Sequence, residues 1–240
     1  HGGNSETVLG KILSRFPRDT FFLATKFPGF NQSNMERVEG IFEEQLKKCR
    51  VDYFDFYLFH SVCESNLEGY LDPQYGIYDY LMKQKANGRI RHLGFSAHAT
   101  VPEMRRFLDA YRGGLEFCQI QLNYLDWTFQ DAKAKVELLR EYDIPIWVME
   151  PLRGGRLAKL GQLHTDRLRA LRPNEAVPAW AFRFLQTIPE IGMILSGMSS
   201  MEQLKENIHT FESFKPLNEE EMAELLEIDK EILGKKTLPC

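Results

Sequence analysis

The hydrophobic positions change period repeatedly along the chain. "SETVLGKILSRF" (5–16) places Val8, Leu9, Ile12, Leu13 and Phe16 at helical spacing, and "FFLATK" (21–26) follows as a short apolar run of strand type. "SNMERVEGIFEEQLKKC" (33–49) returns to the helical period through Val38, Ile41, Phe42 and Leu46, with Ser33 and Glu36 in capping-box spacing. "VDYFDFYLFHSV" (51–62) is a near-continuous aromatic and aliphatic run, broken by Asp52 and Asp55, that predicts a strand covered on both faces. A loop with Gly69 and Pro73 leads to a predicted helix around Tyr78–Lys85, which stops near Asn87-Gly88.

The alternation continues to the end. "HLGFSAH" (92–98), "FCQIQLN" (117–123), "IPIWVMEPL" (144–152) and "MILSGM" (193–198) read as strands. Between and after them, helices are predicted over "PEMRRFLDAYRGG", roughly 130–143, "PAWAFRFLQ", "SMEQLKENIHTF" from Ser199 or Ser200, and roughly 218–233. Strands alternating with helices predict parallel βαβ units, either a doubly wound sheet or a (β/α)8 barrel. Neither G-x-G-x-x-G nor G-x-x-x-x-G-K-[ST] follows any strand, which weakens the nucleotide-binding doubly wound form. A barrel needs eight strands and six are predicted, so the other two are expected to precede His1.

Composition narrows the classes. The chain has 240 residues, 43% hydrophobic, enough for a substantial core, and a formal charge of −4 that points to neither nucleic acid nor an anionic membrane. It has no apolar stretch long enough to span a bilayer. Cys49, Cys63, Cys118 and Cys240 are scattered without a C-x-x-C pair, which argues against a structural zinc site or disulfide framework and fits a reducing, cytoplasmic compartment. The chain opens "HGGNSE" without a methionine or signal peptide and closes "TLPC", so both ends are expected to be cuts through a longer protein.

Barrel chemistry sits where strands end. The polar residues at those ends are Lys26, His60, Ser96 with His98, Gln119 to Asn123, Glu150, and Ser196 with Gly197. Alone, a strand-end lysine reaches to water and a lone histidine is more often a satisfied core residue. A whole rim of hydrogen-bonding groups favours function: a partly desolvated Lys26 ammonium that acidifies a neighbour, and a His60 that orients a carbonyl. "PLRGGR" (151–156) and the "SGMSS" before the last barrel helix are candidate phosphate cradles, although glycine pairs also occur in ordinary loops. A metal-dependent hydrolase using His60 and His98 is disfavoured because "MILSGMSS" lacks the aspartate such sites want.

Seven segments in consistent order, "GGNSETVLGKIL", "FFLATK", "VDYFDFYLFH", "NGRIRHLGFSAH", "CQIQLNYLD", "VMEPLRGGRL" and "LSGMSSMEQLKENI", together resemble the aldo/keto reductase superfamily over nearly the whole chain. The wording of the last three looks closest to the branch with a C-terminal ferredoxin-like iron–sulfur module, in which Cys240 would open the cluster motif. The resemblance implies an α/β (β/α)8 TIM barrel, here one incomplete domain over 1–240 with strands 3–8. It implies NAD(P)H binding at the strand C-termini, a small carbonyl substrate and a tetrad of Asp, Tyr, Lys and His. Lys26 matches the tetrad lysine and His60 the histidine, while the Asp and Tyr belong to a "DTAxxY"-type segment expected before His1.

The same resemblance assigns Ser96 and Gln119 to the nicotinamide amide and Met149 to its ring face. It assigns Pro151, Leu152, Arg153 and Gly154 to the pyrophosphate, and Gly197, Ser199, Gln203, Glu206 and Asn207 to the adenosine side. Glu150 stands where a serine is common, and a carboxylate there must point away or pair with Arg153. Only Lys205 offers a cation near the adenosine, off the usual position, so both NADP(H) and NAD(H) stay open. A 4Fe-4S cluster is implied only for the C-terminal module. Two readings follow: an NAD(P)H-dependent carbonyl oxidoreductase, or a non-catalytic nucleotide-binding or scaffold protein with the same fold.

Overall fold

The computed structural model describes residues 3–234 and divides into two compact units, residues 1–119 and 120–240. The first holds α1 (Asn4–Leu13), β1 (Ala24–Phe27), α2 (Val38–Cys49), β2 (Phe54–Val62), α3 (Leu67–Leu71), α4 (Ile77–Ala86), β3 (Ile90–Ala97) and α5 (Val101–Ala110). Strand β4 (Cys118–Gln121) leads into the second, which holds α6 (Asp126–Phe129), α7 (Ala132–Glu141), β5 (Ile146–Met149), α8 (Gln162–Leu171), α9 (Val177–Leu185), β6 (Ile191–Ile194), α10 (Met201–Phe211) and α11 (Glu219–Leu233). The sheet order is the chain order, β1-β2-β3-β4-β5-β6, and β1–β2, β2–β3 and β5–β6 pair in parallel. An α/β fold of six parallel strands separated by helices is therefore formed, as the alternation predicts.

In the first unit β2 is the spine. Phe54, Tyr57, Leu58, Phe59 and Val62 are buried, so the strand is covered on both faces. Phe42 of α2 stacks edge-on against Phe54 and Tyr57, and Phe107 of α5 against Phe59. Asp55, which breaks the apolar run, is buried and satisfied: it accepts from Arg18 at 2.6 Å and the Leu23 amide at 2.9 Å, with Arg91 at 3.4 Å. In the second unit α9 is apolar all round, and Ala179–Leu185 are all buried. Its one charge, Arg183, pairs with Glu175 at 3.1 Å and donates to the Ser213 carbonyl at 2.7 Å.

Several local expectations are corrected. The Ser33/Glu36 capping box is absent: a 3₁₀ turn runs over Gln32–Arg37, Asn31 caps it by accepting from the Ser33 amide, and α2 begins only at Val38. The stripe Val8, Leu9, Ile12 and Phe16 is exposed. What brings α1 onto α2 is Gly10, where a Cβ would lie 2.2 Å from the Lys48 carbonyl. Strand β6 is shorter and more exposed than "MILSGM" suggests. Helices α3 and α8 carry no strong periodic signal and were not anticipated. Cys240 lies outside the described residues.

Candidate functional site

In the first unit, parallel register sets the candidate catalytic side chains on one face. Lys26 aligns with Leu58, and His60 lies one pleat further along, so Lys26, Leu58 and His60 share a side. Both polar groups are half-buried. Burial lowers the Lys26 pKa below that of a free lysine. His60 is pushed down to about 4 by burial, by the Lys26 charge and by His98, so it is a neutral imidazole at physiological pH. The exposed Phe30 ring meets the His60 ring edge-on at 5.2 Å.

The backbone around His60 is built with care for geometry. The β2–β3 ladder slips between Phe59 and Val62, and Ser61 takes a left-handed φ of 58°. Such a residue costs about 1–3 kcal/mol and has to be held. Ser61 is held from both sides: its amide donates to Ser96 Oγ at 2.8 Å, and Asn66 Nδ2 donates to its carbonyl at 2.9 Å. Tyr70 donates to the His60 carbonyl at 2.7 Å, and Gly29 leaves room for that phenol, since a Cβ there would lie 2.2 Å from it. Behind β1, Gln45 donates to the Lys26 carbonyl and to Glu6, each at 2.9 Å, and accepts from Tyr57 at 2.6 Å.

Ser96 is therefore buried with its oxygen bound to the Ser61 amide, which leaves its hydroxyl proton to donate. Gln119, on β4 and also buried, keeps its carboxamide out of any hydrogen bond among the described residues. A hydroxyl and an uncommitted carboxamide suit a nicotinamide amide, which needs both a donor and an acceptor. Tyr57, Tyr70, Tyr78, Tyr80, Tyr111 and Tyr124 all have raised pKa values, in each case chiefly through burial. Among the described residues no group of three or more His, Cys, Asp or Glu is placed to hold a metal ion.

In the second unit, Met149 ends β5 half-buried, Pro151 is buried, and Leu152, Arg153 and Gly154 form the turn after it. Glu150 and Arg153 have left-handed φ of 56° and 46°. Of the two arrangements open to Glu150, pointing away or pairing with Arg153, the pairing does not form. Glu150 accepts from the Gly154 amide at 2.5 Å, while the buried Arg153 turns inward to Asp126 at 3.5 Å and lies over the Phe129 ring. The amides of Arg153, Gly155, Arg156 and Leu157 donate to carbonyls within the turn, so the loop is bonded to itself and offers an anion few free donors. On α10, Gln203 accepts from the Ser199 amide at 2.8 Å and Asn207 donates to Ser196 Oγ at 3.2 Å. Gly197, Ser199, Gln203 and Glu206 are exposed. Phe30, Asp126 and Asp229 carry no site signal in the sequence; "CQIQLNYLD" ends in Asp126, but nothing in its pattern announces a buried carboxylate.

The sequence profile of the Aldo/keto reductase family matches residues 1–230. The chain belongs to the aldo/keto reductase family. This aldo/keto reductase is 24% identical over 249 residues to an NADH-specific methylglyoxal reductase of Escherichia coli, covering 86% of this chain and 74% of the relative. It is 25% identical over 232 residues to an L-galactose dehydrogenase of Arabidopsis thaliana, covering 87% and 70%. Among solved structures it is similar to the holo form of aldo-keto reductase AKR11C1 from Bacillus halodurans (TM-score 0.75, 21% identity, 95% of this chain and 78% of that one). It is also similar to the thermostable aldo-keto reductase Tm1743 (TM-score 0.74, 22% identity, 95% and 78%). These likenesses establish the fold of the family's barrel proteins. Among the described residues no helix is long and apolar enough to cross a membrane.

Proposed function

We propose that this aldo/keto reductase is an NAD(P)H-dependent oxidoreductase that reduces an aldehyde or ketone. The observation that carries the reading is the pair formed by Lys26 and His60: one face, adjacent strands, and burial that, with the lysine charge, keeps the imidazole neutral. When bound, reduced nicotinamide supplies the hydride that adds to the carbonyl carbon. Negative charge then builds on the carbonyl oxygen. A neutral His60 donates a hydrogen bond to that oxygen and fixes its orientation without competing for the proton. The Lys26 ammonium favours phenolate over phenol in a neighbouring tyrosine, and so turns a weak acid into a usable proton donor. The family resemblance assigns that tyrosine, with its aspartate, to a segment preceding "GGNSE".

Ser96 and Gln119 would hold the nicotinamide amide, Pro151 to Gly154 would border the diphosphate, and Gln203, Glu206 and Asn207 would border the adenosine. The NADH-specific relative, and the stretch "SGMSSMEQLKEN" in which Lys205 alone is a lysine or arginine, support NADH. A cytoplasmic location is proposed on the scattered cysteines. An iron–sulfur module after the barrel is the finer part of the reading, supported by the wording of three segments; iron analysis of the intact protein tests it.

The deciding experiment is reduction of a reactive aldehyde by the intact protein, followed by loss of reduced-nicotinamide absorbance. Lys26→Met is expected to lower turnover at least about a hundredfold while nucleotide binding persists. Unchanged turnover would sink the assignment. The second reading, nucleotide binding without catalysis, predicts binding with no turnover even in the unmodified protein.

A further inference from the structure

We infer that Asp126 is a positioning residue for the turn after β5, and through it for the diphosphate of the nucleotide. The inference rests on the nucleotide-binding reading above and adds a residue outside the expected site. Asp126 is wholly buried. Its Oδ2 accepts from Gln121 Nε2 and Asn123 Nδ2, each at 2.7 Å, and its own amide donates to Asn123 Oδ1 at 2.9 Å. Its Oδ1 makes no hydrogen bond and has Arg153 Nη2 at 3.5 Å.

These contacts lead to the two left-handed residues of the turn that are not glycine. Asn123, oriented by Asp126 from two directions, donates to the Glu150 carbonyl at 2.9 Å. Arg153, drawn inward by Asp126, is buried with its guanidinium 5.0 Å from the centre of the Phe129 ring. One carboxylate thus holds both ends of the segment Glu150–Arg153 in a conformation that side chains normally avoid. Buried in this way, the Arg153 guanidinium acts on the turn's shape. The arrangement matches what a preorganised site requires: a contact shell locked by a second layer of buried hydrogen bonds.

The test uses the intact protein and two readouts. Nucleotide-free hydrogen exchange reports the turn itself: Asp126→Asn should speed exchange of the amides of Arg153 to Leu157. Nicotinamide-fluorescence titration and steady-state kinetics report the consequence. The expected result is a rise on the order of tenfold in Kd and KM for the nucleotide, with KM for the carbonyl unchanged and kcat at saturating nucleotide nearly so. The double variant Asp126→Asn/Arg153→Met leaves no unpaired buried charge and serves if the single one does not fold. Because the two groups act in series, it should bind nucleotide no more weakly than Asp126→Asn alone.

Additive losses would mean that Arg153 contacts phosphate by itself and would overturn the inference. So would a folded variant with wild-type exchange and wild-type nucleotide affinity, which would leave the nucleotide reading standing. Failure of the unmodified protein to bind either NADH or NADPH would remove that reading and the inference with it.

Discussion

Asp229 on α11 gives the most quantitative prediction. It is almost wholly buried, accepts from Thr128 Oγ1 at 3.3 Å through Oδ2, and leaves Oδ1 without a hydrogen bond. Burial raises its pKa from 3.8 to about 7, and Asp126 adds to the rise against the opposing effects of Thr128 and Arg153. A carboxyl whose pKa is raised on folding stabilises the native state fully below its unfolded value and loses that contribution as pH climbs through the folded value. The window is therefore pH 3.8 to about 7. Each pKa unit is worth about 1.4 kcal/mol, so the loss across the window approaches roughly 4 kcal/mol as an upper limit. Asp229→Asn keeps the shape and an acceptor for Thr128 but cannot ionise. The variant should match the parent near pH 4 and exceed it by about 1–4 kcal/mol at pH 8. Urea unfolding at half-unit pH intervals, with m-values compared at each point, measures the difference. Parallel pH curves for the two proteins would refute the reasoning, because they would show that Asp229 folds already ionised.

Two further predictions concern the first unit. His60, at about 4, should remain neutral from pH 5 to 8, so nitrogen-15 NMR of its imidazole should show no titration there; a midpoint near 6.5 would mean that the ring is solvated and away from Lys26. Gly94 on β3 lies where a Cβ would come within 2.5 Å of the Phe117 carbonyl, so Gly94→Ala should cost about 2–3 kcal/mol and lower Tm by roughly 5–10 °C. An unchanged melting curve would show that the backbone carrying Phe117 yields.

The strands and main helices were legible because periodicity is a local property. The run 51–62 is buried on both faces, as its composition requires, and Lys26 and His60 lie on adjacent strands as the alternation of strand and helix implies. The failures are of one kind. Val8, Leu9, Ile12 and Phe16 have helical spacing, yet the contact with α2 is made through Gly10, because what decides a packed face is the neighbour's shape. Ser33 and Glu36 have the spacing of a capping box, yet Asn31 caps a tighter turn ahead of them. Local rules offer both, and the surrounding chain selects one.

The sequence by itself determined the order of elements and the family. Only the tertiary structure decided what each polar group is bonded to. Ser96 turned out to hold the left-handed Ser61 behind His60, Arg153 to point inward at Asp126, and Glu150 to cap the Gly154 amide. The physical reason is that a buried polar group has to find a partner wherever the fold supplies one. That partner is set by packing between segments distant in the chain, on which spacing and composition carry no information.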